Sequence, residues 1–176
     1  MSPEPDGFLG GRLRLHQPPR GAHRAGTDAI LLARLLVPAA GDRLCDAGAS
    51  TGAVGLGCAA LVPGLKPTLI ERDHDVAELA RANAGLNGIE ARVIEADLLA
   101  SAAERRAAGL LPDSFDVVLT NPPFFDGGGH RTSPNPGRAT AHTFAGQDLD
   151  AWIRSCTAIL RPGRGPGGSR RRRSVP

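Results

Sequence analysis

Apolar positions recur along this chain in two periods, and the period switches repeatedly. Near the N-terminus, Arg12-Leu13-Arg14-Leu15-His16 alternates polar and apolar residues, and with Phe8-Leu9 it flanks Gly10-Gly11. This predicts a β-hairpin over residues 7 to 17, closed by Pro18-Pro19. Ala29, Ile30, Leu31, Leu32, Leu35 and Leu36 then follow Thr27 and Asp28, either of which can cap a helix that stops at Pro38. Apolar residues cover most of that helix, so it is expected to be well buried. From Gly41 onward strand and helix patterns alternate. Leu44-Cys45 reads as a short strand, followed by a Gly-rich turn and an Ala-rich helix ending at Pro63-Gly64. Thr68-Leu69-Ile70 is a second strand. The next helix opens at Asp75, with Glu78 as its capping partner, and stops at Asn87-Gly88. Ala91 to Glu95 is a third strand, Leu98 to Ala108 a third crossover helix and Phe115 to Thr120 a fourth strand. After a Gly/Pro/Thr-rich loop over 126 to 147, Leu149, Trp152, Ile153, Cys156, Ile159 and Leu160 fall on one helical face.

Strands separated by helices of this length pair in parallel through right-handed crossovers. The expected class is α/β: a Rossmann-like, mostly parallel sheet with helices on both faces. Residues 1–40 form an N-terminal hairpin and helix, 41–163 the sheet domain, and 164–176 a tail rich in Arg, Gly and Pro that has no apolar residues to pack.

Length and charge narrow the picture. A chain of 176 residues suits one ordinary domain. No run of about 18 apolar residues is present, and the acidic, Pro-containing N-terminus is not that of a signal peptide, so a cytoplasmic protein is expected. Cys45, Cys58 and Cys156 lack Cys-x-x-Cys spacing, which points to neither a disulfide framework nor a metal site. The net charge of +3 misleads: six of the 21 basic residues follow Leu160, leaving 15 against 18 acids before it.

Candidate chemistry clusters at strand ends. The turn Asp46-Ala47-Gly48-Ala49-Ser50-Thr51-Gly52 allows close approach of a ligand to the backbone, and the following helix aims its N–H groups into the same space. It suits a dinucleotide or S-adenosylmethionine. The dinucleotide spacing G-x-G-x-x-G fails, because Ser50 occupies the second glycine position and Gly52 falls one residue early. Asp46 would also repel a pyrophosphate and favours a cofactor bearing an ammonium. Glu71 ends the second strand, where a carboxylate can accept ribose hydroxyls, and Asp97 follows the third, within reach of an adenine amine. Asn121-Pro122-Pro123-Phe124 directly follows the fourth strand. It offers a side-chain amide, two prolyl carbonyls and an aromatic face, a set suited to a flat ring bearing an amino group. Thr27 and Asp28 begin a helix that can lie over the cofactor's methionine end; capping that helix is their expected role, and a direct cofactor contact the alternative.

These residues resemble the class I methyltransferases that use S-adenosylmethionine. Asp46 to Gly52 matches their first motif, with Ser50 in place of a usual glycine; Glu71 matches the ribose-binding acid and Asp97 the adenine-contacting acid. Asn121-Pro122-Pro123-Phe124 looks like the motif of amino-group methyltransferases. Gln17-Pro18 and Arg24 to Leu32 are similar to the bacterial enzymes that methylate adenine N6 in valine tRNA beside the anticodon. The resemblance implies an RNA substrate, most closely tRNA. It also implies a reaction in which the Asn121 oxygen and the Pro122 carbonyl accept the amine hydrogens while Phe124 stacks on the base. Neither a metal nor a general base is needed, and His130 and His142 fall in the loop. Methylation of rRNA or DNA adenine, or of a release-factor glutamine, is the related alternative, and an inactive cofactor-binding fragment a further one. The release-factor family usually carries Tyr after the prolines, where this chain has Phe124.

After Leu160-Arg161-Pro162-Gly163 the family continues with an apolar fifth strand, whereas this chain reads Arg164-Gly165-Pro166-Gly167-Gly168-Ser169 and four arginines. The break is what a shifted reading frame or a truncated product gives; an RNA-binding tail is the alternative. Without a fifth strand the edge of the fourth is left open and apolar, and poor solubility or weak activity is expected.

Overall fold

The computed structural model describes residues 4–19, 24–36, 38–122, 146–164 and 170–172. Eight strands and five α-helices are distributed over these segments. The N-terminal pattern folds as expected: β1 (Asp6–Phe8) pairs antiparallel with β2 (Leu13–Leu15) across a short 3-10 turn at Leu9–Gly11. Gly10 and Gly11, with φ of 66° and 87°, supply the left-handed conformations that reverse the chain.

Helix α1 (Thr27–Leu35) follows, and two expectations about it are corrected. Its N-cap is Gly26, with no side-chain cap bond, rather than Thr27 or Asp28. Nor is it well buried: Leu31 and Leu35 are 53% and 77% exposed, and only Ala29 and Ala33 are fully covered. The reason is its mode of packing. Helix α1 lies on α2 (Ala53–Leu61) through small residues, so close that a Cβ at Gly57 would come within 3.0 Å of the Ala33 Cβ. Small residues bring the backbones together and turn the long leucines outward.

The layered unit is built from β3 (Leu44–Ala47), α2, β4 (Thr68–Glu71), α3 (His74–Leu86), β5 (Arg92–Glu95), α4 (Ala102–Ala107), β6 (Val117–Thr120) and α5 (Gly146–Ile159). Its four strands are all parallel, in the order β5-β4-β3-β6. β3 is buried at all four positions, as a central parallel strand must be. One apolar cluster joins Leu44, Leu56, Leu69 and Leu119 to Leu13 and Leu15 of the hairpin and Ala29 and Ala33 of α1. The opposite face packs Ile70, Ile94 and Val118 against Trp152, Cys156 and Ile159 of α5. All three cysteines are free and buried; burial pushes the Cys58 thiol up to about 12 and the Cys156 thiol to about 11.

Three element boundaries differ from expectation. Helix α3 is capped by Asp73, whose side chain accepts from Val76 N at 3.1 Å, rather than by Asp75 with Glu78; Glu78 instead pairs with Arg81. Helix α4 is shorter than Leu98–Ala108, because Asp97 Oδ1 accepts from Leu99 N and holds 97–100 as a turn. The capping box of α4 forms between Ser101 and Glu104. β6 begins at Val117 rather than Phe115, and Phe115 instead bridges in parallel to Leu160. That bridge places Leu160 alongside the β6 end of the sheet. β7 (Pro162–Arg164) pairs antiparallel with β8 (Arg170–Arg172).

Candidate functional site

In an open parallel sheet the carboxyl ends of the strands form one rim, and connections leaving that rim build ligand sites. Register fixes who meets whom here. Ala47 pairs with Ile70 on one side and Thr120 on the other. The next residues, Gly48, Glu71 and Asn121, therefore stand side by side, and Glu71 pairs outward with Glu95.

The turn after β3 is tied down by backbone bonds, with Ala49 N donating to Ile70 O at 2.8 Å and Gly52 N to Ala49 O at 2.8 Å. Its glycines serve packing as much as ligand approach. A Cβ at Gly48 would lie 2.9 Å from the Trp152 ring, one at Gly55 2.5 Å from Leu69 and one at Gly52 2.9 Å from Leu56. Gly48 and Gly52 also have φ of 72° and 85°. Ser50, where the related motif has a glycine, takes φ of 49°, a left-handed conformation that few side chains adopt.

The acids take three different positions. Asp46 was expected to face an ammonium, but it is 1% exposed and its Oδ2 accepts from Gly55 N at 2.7 Å, at the start of α2. It lies beneath the turn and ties it to the helix. Burial pushes its carboxyl up to about 7; the Gly55 N–H opposes that rise and the neighbouring charge of Glu71 adds to it. Glu71 is half-buried at the rim. Its Oε2 accepts from Ser50 N at 2.9 Å, and its Oε1 from Arg72 N and Asp73 N at 2.8 and 3.0 Å. A carboxylate has about four lone-pair sites, so Glu71 has one left, on Oε2, for a hydroxyl rather than the pair expected from sequence. Asp97 lines an open depression with Arg72, Asp73, Glu95 and Ala96, and its Oδ2 has no partner among the described residues.

On the other flank, Thr120 Oγ1 donates to Ala47 O at 2.8 Å and accepts from Trp152 Nε1 at 3.0 Å. Helix α5 thus braces the tip of β6 just below Asn121. The Asn121 side chain is half-buried, and its Nδ2 donates to Asp28 Oδ2 at 2.7 Å. Pro122 is half-buried beside it; Pro123, Phe124, His130 and His142 lie outside the described residues. Thr27 is exposed at the start of α1. The stretch that suggested a tRNA enzyme has structural work of its own. Gln17 exchanges two bonds with the Ala25 backbone, at 3.0 and 3.1 Å, and Arg24 pairs with Asp6 and the Pro18 carbonyl. Sequence reading missed the Asp28–Asn121 contact and the Thr120–Trp152 brace, because 93 and 32 residues separate the partners.

The Methyltransferase small domain model matches residues 23–135. The chain belongs to this family. It is 33% identical over 147 residues to a tRNA1(Val) (adenine(37)-N6)-methyltransferase of Porphyromonas gingivalis, covering 80% of this chain and 56% of that protein. It is 32% identical over 108 residues to a release factor glutamine methyltransferase of Deinococcus radiodurans, covering 61% of this chain and 33% of that protein. Among solved structures, a T. thermophilus 16S rRNA N2 methyltransferase, RsmC, in complex with S-adenosylmethionine and guanosine superposes with a TM-score of 0.62. It does so at 23% identity, over 90% of this chain and 38% of that one. The chain spans between a third and just over half the length of these curated relatives. The cofactor of this small methyltransferase domain is S-adenosylmethionine. The rim fits it chemically: the open lone pair on Glu71 suits a ribose hydroxyl and Asp97 suits an adenine amine, and the turn that leads into α2 is bonded to Glu71 through Ser50 N. Among the described residues no cluster of His, Cys, Asp and Glu could hold a metal ion, and no helix is long and apolar enough to cross a membrane.

Proposed function

We propose that this chain transfers a methyl group from S-adenosylmethionine to the exocyclic N6 amine of an adenine in RNA, most closely a tRNA, in the cytoplasm. The observation that carries the reading is the position of Asn121. It stands at the tip of β6, level with Gly48 after the adjacent β3 and Glu71 on β4 beyond it, and its amide oxygen has no partner among the described residues. Similarity to a tRNA adenine-N6 enzyme over most of the chain supports the choice of substrate.

Bound S-adenosylmethionine supplies an electrophilic methyl group on a sulfonium. The protein's own part is to make a poor nucleophile competent. The adenine N6 lone pair is delocalised into the ring. Asn121 Oδ1 and the Pro122 carbonyl accept its two N–H bonds, drawing the nitrogen toward tetrahedral geometry and stabilising the positive charge that grows there. Phe124 supplies the stacking face, a contact worth roughly 1–3 kcal/mol. Glu71 and Asp97 hold the cofactor's ribose and adenine, and the Gly48–Gly52 turn presents its backbone to the methionine end, with Thr27 above it. Asp46 acts from below by anchoring that turn. A base must leave its stack to enter such a site, which is easiest in a single-stranded loop.

Asn121→Ala should abolish methyl transfer while leaving affinity for S-adenosylmethionine nearly unchanged. Incubation with labelled S-adenosylmethionine and total bacterial tRNA, followed by nucleoside analysis, gives the substrate directly. N6-methyladenosine is expected. Methylglutamine in a release factor, with unlabelled tRNA, would redirect the reading to the protein substrate.

A further inference from the structure

The two ends of the Asn121 amide are opposite in hydrogen-bonding sense, and amine methylation uses only the oxygen. A free asparagine side chain can flip between the two orientations, one productive and one that presents N–H to N–H. The fold removes that choice. Asn121 Nδ2 lies 2.7 Å from Asp28 Oδ2, on the first turn of α1 and 93 residues away in the chain. An ionised carboxylate accepts and never donates. The end of the amide facing it must therefore be the NH2 group, and a flip would set two acceptors against each other at hydrogen-bond distance.

A second observation bears on Asp28 itself. An aspartate in the first turn of a helix ordinarily serves the free backbone N–H groups, yet α1 has no side-chain cap bond. The residue before it in space is Gly26, where a Cβ would come to 2.9 Å from Asp28 Oδ1. Glycine at that position leaves the carboxylate room beside the N-cap, and the side chain reaches across to the sheet rim.

We infer that Asp28 is a positioning residue that fixes the Asn121 amide with its oxygen toward the substrate amine. This rests on the reading of the site as one for amines. Asp28 acts in two ways. It selects the orientation, and by accepting a charge-assisted bond at Nδ2 it polarises the amide and strengthens Oδ1 as an acceptor. Helix α1 is then part of the site, and the N-terminal segment contributes a group that the sheet domain lacks.

The test uses the full chain labelled with 15N. The Asn121 side-chain amide is identified by the pair of signals lost in Asn121→Asp. In Asp28→Ala those signals should shift and their protons should exchange faster with solvent. In Asp28→Asn, whose own oxygen can still accept, they should stay near wild type. With RNA substrate, Asp28→Ala should lower kcat by roughly tenfold to a hundredfold, the equivalent of one hydrogen bond to a charged group, with binding of S-adenosylmethionine unchanged. Asp28→Asn should recover most of that loss. Asn121 amide signals indifferent to Asp28→Ala overturn the inference, as does full kcat in that variant. A chain that shows the amide coupling but methylates no amine overturns the functional reading and leaves the orientation established.

Discussion

Asp46 places an ionisable carboxyl where charge is costly. It is fully buried, with a single backbone donor, and its carboxyl is pushed up to about 7 from 3.8. In the unfolded chain the same group ionises near its ordinary value. Between about pH 4 and pH 7 the folded state therefore holds a proton that the unfolded state has released. Stability from this group is fully present below pH 4, falls as pH rises through that window and levels off above 7. Asn at this position keeps an acceptor for Gly55 N without the charge. Asp46→Asn should match wild type at pH 4 and exceed it at pH 8 by at least about 1 kcal/mol, one pKa unit or more, in urea denaturation at the two pH values. Equal stability at pH 8 would mean that the carboxylate is well solvated. Its place next to a glycine turn suggests a carboxylate facing the ammonium of a cofactor. Strand residues alternate in facing, and this one faces the helix.

Among the elements, the hairpin and α1 show how a preceding segment is locked onto a sheet domain. Asn83, fully buried on α3, accepts from His16 N at 2.7 Å and donates to His16 O and Thr51 O at 3.0 Å each. One side chain thus joins the end of β2, helix α3 and the glycine turn. One turn further on, Asn87 pairs with the Arg14 backbone in the same two-way manner. Asn83→Ala leaves the buried Thr51 carbonyl without its partner, at a cost of about 1–3 kcal/mol, while the two part-buried backbone groups of His16 can turn to water and add less. A loss of roughly 2–4 kcal/mol is expected in the unfolding free energy from urea denaturation, with a smaller loss for the more exposed Asn87→Ala. No change in Asn83→Ala would show that the hairpin is held by Leu13 and Leu15 alone. The sequence pattern located both elements but gave no sign of this lock, because an asparagine inside an amphipathic helix reads as an ordinary solvated position.

For the whole molecule, the sheet order decides behaviour. β6 terminates it, and among the described residues its outer edge pairs with no strand beyond the Phe115–Leu160 bridge. Val118 and Leu119 on this strand are buried, so the edge is apolar as well as open. Such edges template association with further strands. The full chain should associate as its concentration rises, seen in sedimentation velocity as mass growing from monomer to larger species. A monodisperse monomer with one cooperative melt would contradict this. Leu31 and Leu35 of α1 add further exposed apolar surface.

Periodicity alone carries the class of this fold and the succession of its elements along the chain. The switches between periods of two and 3.6 mark β3 to β6 and their helices, because alternating strand and crossover helix leave few topologies. Local chemistry likewise marks the rim, since the turn at Gly48, Glu71 and Asn121 all follow apolar strand runs and register alone brings them abreast. Boundaries were less legible: Asp73 outcompetes Asp75 as a cap, and Phe115 leaves its strand for Leu160. What stayed hidden is which way the polar side chains turn and whom they meet. Asp46 points under its turn, Glu71 gives three lone pairs to the backbone, and Asp28 reaches Asn121 across the fold. These outcomes depend on contacts between residues far apart in the chain, and a pattern read along the chain holds no record of them.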